Sequence, residues 1–562
     1  MDTENQPMYE WKTINWAKAQ REVFKLQKRI YRASERGDRK AVRRLQRLLT
    51  QSRSAKLVAV RRVTQDNQGK NTPGVDKVAR LRNPQKVKIA EKLKLNDKSQ
   101  PTRRVWIPKP GKDEKRPLGI PTMEDRAKQA LLKLALEPEW EAKFEPNSYG
   151  FRPGRSCHDA IAAIYNGIVQ KPKYVLDADI EKCFDRINHE KLLDKLQTFP
   201  TFRRQIRAWL KSGVMDGKKL FPTDEGSPQG GVISPLLANI ALHGMEEMLM
   251  GRYSRRVENG RKRKVTFVRS ADDFVLMDES LEVVLEAKQL IEEWLMEMGL
   301  ALKESKTRIT HTFVEHEGKI GFDFLGFHIR QYPCSDKQSG SVGGTESKRG
   351  HKTFIKPSKE AIKRHLDKLD DLLERNGKSK QEQVINALNP VIRGWAAYYS
   401  TVASSQTFDL IDSIMHQKLY AWAKKRRSHR GNNTDLVSNY WGVNRGLGWR
   451  FMTPDDQYVL EKHQETKIKR HIKVKESKSP FDGEFIYWSN RLNNHPMLRR
   501  TVTRLLKKQE GKCGECSLIL TSTDLLEVHH KDRNRGNNKL DNLMLVHRHC
   551  HDIIHAGGTV TS

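Results

Sequence analysis

The sequence predicts an α+β protein of several domains, and three observations carry that prediction. The apolar runs Val265-Thr266-Phe267-Val268 and Phe274-Val275-Leu276 flank a polar tetrad, Ser270-Ala271-Asp272-Asp273, the pattern of a β-hairpin whose turn presents two carboxylates. Basic segments with helical spacing lie on either side of this region. A C-terminal stretch then combines cysteines and histidines at metal-ligand spacing. At 562 residues the chain also exceeds a single core, which stops growing near about 250–300 residues.

Composition narrows the function classes before any motif does. Lys and Arg number 104 against 69 Asp and Glu, a net charge of +35. Such an excess calls for a polyanionic partner, either nucleic acid or an anionic membrane surface. No apolar run reaches the roughly 18 residues of a membrane helix. Met1-Asp2-Thr3-Glu4-Asn5 is polar with early acids, unlike a signal or transit peptide. Of the six cysteines, Cys157, Cys183 and Cys334 are scattered and the rest cluster near the C-terminus, which suggests a reducing compartment and no disulfide framework. The expected location is the cytoplasm or nucleoid of a bacterium, or an organelle, beside nucleic acid and without a membrane span.

Taken in order, residues 1–65 are expected to form a basic helical extension. Between 16 and 62 lie sixteen Lys or Arg and three acids, Glu22, Glu35 and Asp38. Val42, Leu45 and Leu49 recur at helical spacing, so one face packs while another, with Arg43 and Arg44, stays charged. Charge this dense repels itself unless phosphates neutralise it, which favours RNA binding over a merely solvated face. The apolar stripe is too narrow for a helix lying on a membrane.

Residues 66–345 alternate short strands with helices. Tyr174-Val175-Leu176-Asp177-Ala178-Asp179-Ile180, about 90 residues before the hairpin, reads as a strand ending in acid. Asp177 and Asp179 share one face of it, so the pattern leaves both as candidates. Two strand-borne acidic sites can jointly hold a pair of Mg²⁺ ions for phosphoryl transfer. An Asp-Asp pair alone is more often a solvated turn, so neighbouring motifs decide. Ser335 to Gly350 is a connector rich in Gly, Ser and Lys. Residues 346–430 are helical and basic, and Arg393, Lys424, Lys425, Arg426 and Arg427 are candidate RNA contacts. Residues 431–505 mix Trp441, Trp449, Tyr487 and Trp488 with basic residues, and 506–562 form a compact metal-binding module.

Asp179-Ile180-Glu181-Lys182-Cys183-Phe184-Asp185 resembles the first metal-binding block of reverse transcriptases. Gly226-Ser227-Pro228-Gln229-Gly230-Gly231-Val232-Ile233-Ser234-Pro235-Leu236 resembles their template- and nucleotide-contacting loop. Arg116-Pro117-Leu118-Gly119-Ile120-Pro121-Thr122, Tyr149-Gly150-Phe151-Arg152-Pro153-Gly154-Arg155-Ser156 and Phe324-Leu325-Gly326-Phe327 complete the set in order, and Leu388 to Tyr399 resembles a maturase block. From about residue 60 onward, the chain is similar to group II intron-encoded proteins, the maturases and reverse transcriptases of mobile introns.

The resemblance implies right-hand-like fingers and palm over 66–345, an α-helical thumb at 346–430 and a DNA-binding region at 431–505. It implies Asp179, Asp272 and Asp273 as ligands of two Mg²⁺ ions, which would activate the primer 3′-hydroxyl and neutralise the leaving pyrophosphate. Phe184 would be the aromatic gate that clashes with a 2′-hydroxyl and selects dNTPs. Gln229 would position nucleotide and template, and Arg116 would grip the triphosphate, with Lys109 and Lys115 as helpers. The implied partners are group II intron RNA, a double-stranded DNA target and dNTPs. One departure matters: the family pattern has tyrosine where this chain has Ser270. Stacking of a ring on a base is worth about 1–3 kcal/mol, so an attenuated polymerase is expected. The alternative is a maturase that binds RNA without synthesising DNA. The maturase block and the C-terminal module weigh against an anti-phage or diversity-generating reverse transcriptase.

In that module, Cys513-Gly514-Glu515-Cys516 and His547-Arg548-His549-Cys550 supply four ligands for tetrahedral Zn²⁺: Cys513, Cys516, His547 and Cys550. In so small a domain a metal would supply part of the core. Between and after them lie Val528-His529-His530-Lys531-Asp532, Asn542, His551 and His555, the last two on one helical face. This resembles an HNH endonuclease with a zinc-stabilised ββα-metal fold. The resemblance implies His530 as general base, a task its near-neutral pKa suits. Asn542 would orient its ring, while His529, His551 and His555 would hold a divalent metal. Together these parts imply a protein that stabilises intron RNA for splicing, copies it into DNA by target-primed synthesis and nicks the DNA target.

Overall fold

Side-chain caps start the first helices. In the computed structural model, Trp16–Glu35 begins at Asn15, whose side chain accepts from the Lys18 amide, and Arg39–Gln51 begins at Asp38, which accepts from Ala41. Each cap satisfies a donor that the first helical turn leaves unpaired. Val42, Leu45 and Leu49 are buried as their spacing predicts. These two helices and Arg53–Arg61 pack on the central helix Met123–Glu141. One buried cluster runs without a break from Trp11 to Leu302. The N-terminal segment is therefore part of the main core rather than an appendage to it. The structure describes residues 11–555 except 109–113, 224, 227–229, 255–256, 259–260, 263, 342–347, 427–436, 438, 445, 477 and 521–523.

The strands follow in chain order. β1 (Thr102–Pro108), β2 (Lys115–Ile120), β4 (Val214–Asp216) and β5 (Lys219–Phe221) form one sheet in the order β2-β1-β4-β5. β3 (Tyr174–Asp179), β8 (Thr266–Ser270), β9 (Asp273–Asp278) and β10 (Arg308–His311) form a second antiparallel sheet, β10-β3-β9-β8, after a small ribbon of β6 (Val257–Glu258) and β7 (Arg261–Lys262). Val175, Leu176, Phe274, Val275, Leu276 and Met277 are almost wholly buried. The apolar runs are thus central strands, and the acids stand where those strands end. A third sheet joins β11 (Phe322–Phe324), β12 (Phe327–Pro333) and β13 (His351–Pro357). It crosses the expected boundary at 345.

Helices Lys359–Arg375, Gln381–Tyr399 and Ser405–Lys424 follow, and their core continues into the hairpin β14 (Trp441–Asn444) and β15 (Gly448–Phe451) through Trp422, Trp441 and Phe451. His365 stacks on Trp395 at 4.5 Å and lies 2.8 Å, Nε2 to Nε2, from His463, whose Nδ1 faces Asp412 at 2.6 Å. Burial first, then the His463 charge, pushes His365 down to about 3. It is therefore neutral at physiological pH.

The stretch 470–495 returns to the main body. His471, the Val474 amide and Arg491 all donate to Asp159, a fully buried residue that also caps the helix Cys157–Ile168 through Ser156. The last unit contains β16 (Leu526–His530), β17 (Leu543–His547) and the helix Arg548–His555. Its core includes Leu505 and Leu506 of the helix Arg500–Lys508, which straddles the expected boundary at 506. Gln65 donates to Asp552 at 2.9 Å, which ties this unit to the N-terminal helices. Among the described residues, no helix is long and apolar enough to cross a membrane.

Candidate active site and metal centres

Strand register brings the acids together. β3 and β9 are antiparallel with Asp179 directly opposite Asp273. β8 turns into β9 through two residues, Ala271 and Asp272, with Ser270 paired to Asp273. Ala271 has a φ of +61°. Positive φ at the first loop residue is the hairpin geometry that glycine usually supplies, so alanine here is strained. Neighbours hold the turn in place. The Ile180 amide donates to the Asp272 carbonyl at 3.2 Å. Arg269, fully buried, donates to the Ala271 carbonyl and to Asn239, and lies 3.8 Å from Glu145. Tyr149 bonds the β8 backbone, and Gly150 follows so closely that a Cβ on it would stand 2.3 Å from the Ala271 nitrogen. Gly150→Ala must displace the turn. A misplacement of roughly 1 Å costs about 100-fold, so Gly150→Ala is expected to lower primer extension about a hundredfold with little loss of RNA affinity, measurable in parallel assays.

Asp179 and Asp272 face a cleft of about 1300 Å³ lined also by Arg104, Lys115, Arg116, Lys182, Asp185, Lys303 and Lys306. Burial first, then Asp272 and Asp179, lifts Asp273 to about 6, and burial raises Asp272 as well. Asp177 is lifted to about 7 by burial and then by Asp273. The Lys306 ammonium is hydrogen-bonded to Asp179. Carboxylates held this close and this dry attract a cation, which is the charge a divalent metal would supply. Arg116 reaches this field and stabilises the ionised Asp272. Phe184 is half-buried, edge-on to Phe151 at 6.3 Å. Gly226, at the start of the expected nucleotide loop, has φ +81°, and a Cβ there would lie 2.5 Å from the Asp185 backbone. Lys109, Gln229 and Arg427 lie outside the described residues.

Two further clusters assemble in the last unit. Among the described residues, the groups of three or more ligands lying within 4.8 Å of one another are Cys513-Cys516-His547-Cys550 and His529-His551-His555. The first group is wholly buried. Hydrogen bonds from Cys516 and then Cys550 push the Cys513 thiol far down, toward the thiolate that binds metal. Three sulfurs and one imidazole suit zinc. In the second group, burial and then neighbouring histidines lower His529 and His551, which favours the neutral imidazole a metal needs. His529 Nδ1 is buried without a protein partner, consistent with a ligand atom.

Some expected contacts are different. Asn542 does not orient His530. Its amide donates to Asp532 and Asn537, its oxygen accepts from the Asp532 amide, and the residue facing His530 Nε2 is Asn538, at 3.3 Å. Three expected RNA contacts are engaged within the protein. Arg43 pairs with the buried Glu139 at 2.8 Å, Arg393 pairs with Glu461, and Arg426 donates to the Gly377 carbonyl and covers the Trp422 ring. A tally of charges in the sequence cannot separate a free cation from a paired one. Arg44, Lys424 and Lys425 are exposed.

Lys306 and Arg269 were not singled out from the sequence. Arg269 did leave a signal, as a charge at the end of an apolar strand beside the acidic turn. Lys306 left none.

An acid-ended antiparallel sheet beside a basic cleft, followed by a helical unit, suits template-directed phosphoryl transfer. The family description "Reverse transcriptase (RNA-dependent DNA polymerase)" matches residues 107–329, "N-terminal domain of reverse transcriptase" matches 11–93, and "Group II intron, maturase-specific domain" matches 362–441. The chain is 33% identical over 325 residues to Protein YkfC of Escherichia coli K12, covering 51% of this chain and 83% of that protein. It is 26% identical over 594 residues to the group II intron-encoded protein LtrA of Lactococcus lactis subsp. cremoris, covering 87% and 92%. Maturase-like protein 1 of Euglena gracilis is 28% identical over 401 residues, covering 68% and 76%. The chain belongs to the group II intron-encoded reverse transcriptase and maturase family.

Proposed function

We propose that this protein copies intron RNA into DNA at Asp179, Asp272 and Asp273 and nicks DNA with its C-terminal module, besides supporting splicing. The observation that carries the first half is the pairing of Asp179 with Asp273 across β3 and β9, with Asp272 at the adjoining turn. Bound Mg²⁺ would supply activation of the primer 3′-hydroxyl and neutralisation of the leaving pyrophosphate. Lys306 steadies the Asp179 carboxylate, Arg116 grips the triphosphate from the fingers, and Phe184 and Gln229 shape the nucleotide site. Arg44, Lys424 and Lys425 contact RNA phosphates.

The second half rests on the ββα arrangement of β16, β17 and the helix Arg548–His555 around two ligand clusters. Cys513, Cys516, His547 and Cys550 take a structural zinc. His529, His551 and His555 take a divalent metal, and His530 is the general base of an HNH nuclease. Asn542 acts on the site by bracing the loop at Asp532. The working division is an N-terminal RNA-binding part, fingers and palm, thumb, DNA-binding region and nuclease, in a ribonucleoprotein that inserts its RNA by retrohoming. A second reading, a maturase with weak or no synthesis, is favoured by Ser270, which puts a hydroxyl where the family pattern has a ring.

Primer extension on an RNA template with Mg²⁺ and dNTPs, beside Ser270→Tyr, tests the polymerase. Extension by the original chain, with a gain of about tenfold in the variant from the restored stacking contact, is expected. If neither extends, the maturase reading takes over. For the nuclease, His530→Ala is expected to slow nicking of duplex target DNA about 10²- to 10⁴-fold with primer extension unchanged. Undiminished nicking would refute the assignment of His530.

A further inference from the structure

We propose that the fingers sheet carries a stacking platform for the unpaired template strand, formed by Trp106 and Phe221 with Arg104 between them. The proposal builds on the polymerase reading above. Trp106 is 48% exposed and Phe221 42%. Two large rings left in water on one small sheet lose the burial that normally stabilises aromatic residues. Arg104 and Trp106 project from the same face of β1, as do Lys219 and Phe221 of β5. Pairing of β1 with β4, and of β4 with β5, sets these residues side by side. The Arg104 guanidinium lies 5.6 Å from the Trp106 ring centre and 5.7 Å from that of Phe221. Asp216 stands 3.9 Å from Arg104.

The platform continues the wall of the catalytic cleft. Arg104, Val214 and Pro222 line that cleft together with Asp179 and Asp272, and both rings lie against Arg104 at its border. A duplex offers paired bases by their edges, whereas an unpaired base offers a face. The strand that runs on unpaired beyond a primer terminus is the template. Every base has such a face, so stacking tolerates any sequence, as a copying enzyme requires. Lys211, Lys218 and Lys219 are exposed nearby and can neutralise the phosphates.

The test uses the full chain and a DNA primer on RNA templates of two kinds. One carries a long unpaired 5′ extension and the other ends at the primer terminus. Binding is read by fluorescence anisotropy without dNTPs, and 2-aminopurine in the extension reports stacking. The double variant Trp106→Ala, Phe221→Ala is expected to bind the extended template about five- to hundredfold more weakly, to bind the flush template unchanged, and to restore 2-aminopurine fluorescence. Trp106→Phe with Phe221→Tyr is expected to retain both signals. Equal losses on the two templates, or no loss on either, would overturn the platform. If the original chain discriminates the templates in this way but extends no primer, the platform stands and the polymerase reading falls.

Discussion

Asp272→Ala is expected to reduce primer extension at least about a thousandfold while leaving affinity for intron RNA at its original value. Removing one electrostatic partner of a developing charge commonly costs about 10²–10³, and a carboxylate at the centre of the charge cluster is worth no less. Alanine suits the test because the main-chain link survives: the Ile180 amide still meets the carbonyl of residue 272. The turn therefore persists while its charge is lost. Asp272→Asn separates the two properties further, since it keeps the shape and removes the charge. Retained synthesis in either variant would take Asp272 out of the chemistry. A parallel loss of RNA binding, with the melting temperature unchanged, would instead assign the acid to RNA recognition.

Asp159→Ala is expected to lower stability by about 3–5 kcal/mol, the usual consequence of leaving one member of a buried ion pair without its counter-charge. Burial alone would lift the Asp159 carboxyl. The His471 hydrogen bond and the Arg491 charge outweigh it and hold the group well below the usual carboxylate range. With its folded value depressed, the group contributes its full stability above the unfolded value of 3.8 and loses it as pH falls. The variant also removes the acceptor that ties down 471–491 and the capping partner of Ser156. Denaturant melts above pH 5 measure the loss, and adding Arg491→Met, which removes the orphaned positive charge, should recover part of it. A variant as stable as the original would show that the buried charge is not structural.

Local signals were legible in the sequence. The acid-ended run at 174–180 and the Asp-Asp turn predicted a strand and a hairpin, and the structure places all three strands in one sheet. The Cys-x₂-Cys and His-x₂-Cys pairs predicted four converging ligands, and they converge. Within each half the residues are a few positions apart, where chain geometry dictates direction; the meeting of the halves followed from the family resemblance. Pairings across distant segments were not legible. Arg43 meets Glu139, Arg393 meets Glu461, and the Asp159 hub gathers residues from a stretch with no periodicity. Asn542 bonds Asp532 and the Asn537 carbonyl within one loop, a detail of loop geometry that residue spacing does not carry.

The Asp159–Arg491 pair spans 332 positions of the chain. Closing so long a loop carries an entropy cost that local contacts must first offset, and contacts of that range slow folding. The β8–β9 hairpin and the capped helices can form early from neighbours in sequence. The stretch 470–495 can lock only onto a surface already finished. Refolding should therefore proceed in at least two stages, with the β8–β9 turn formed before 470–495 is seated on Asp159.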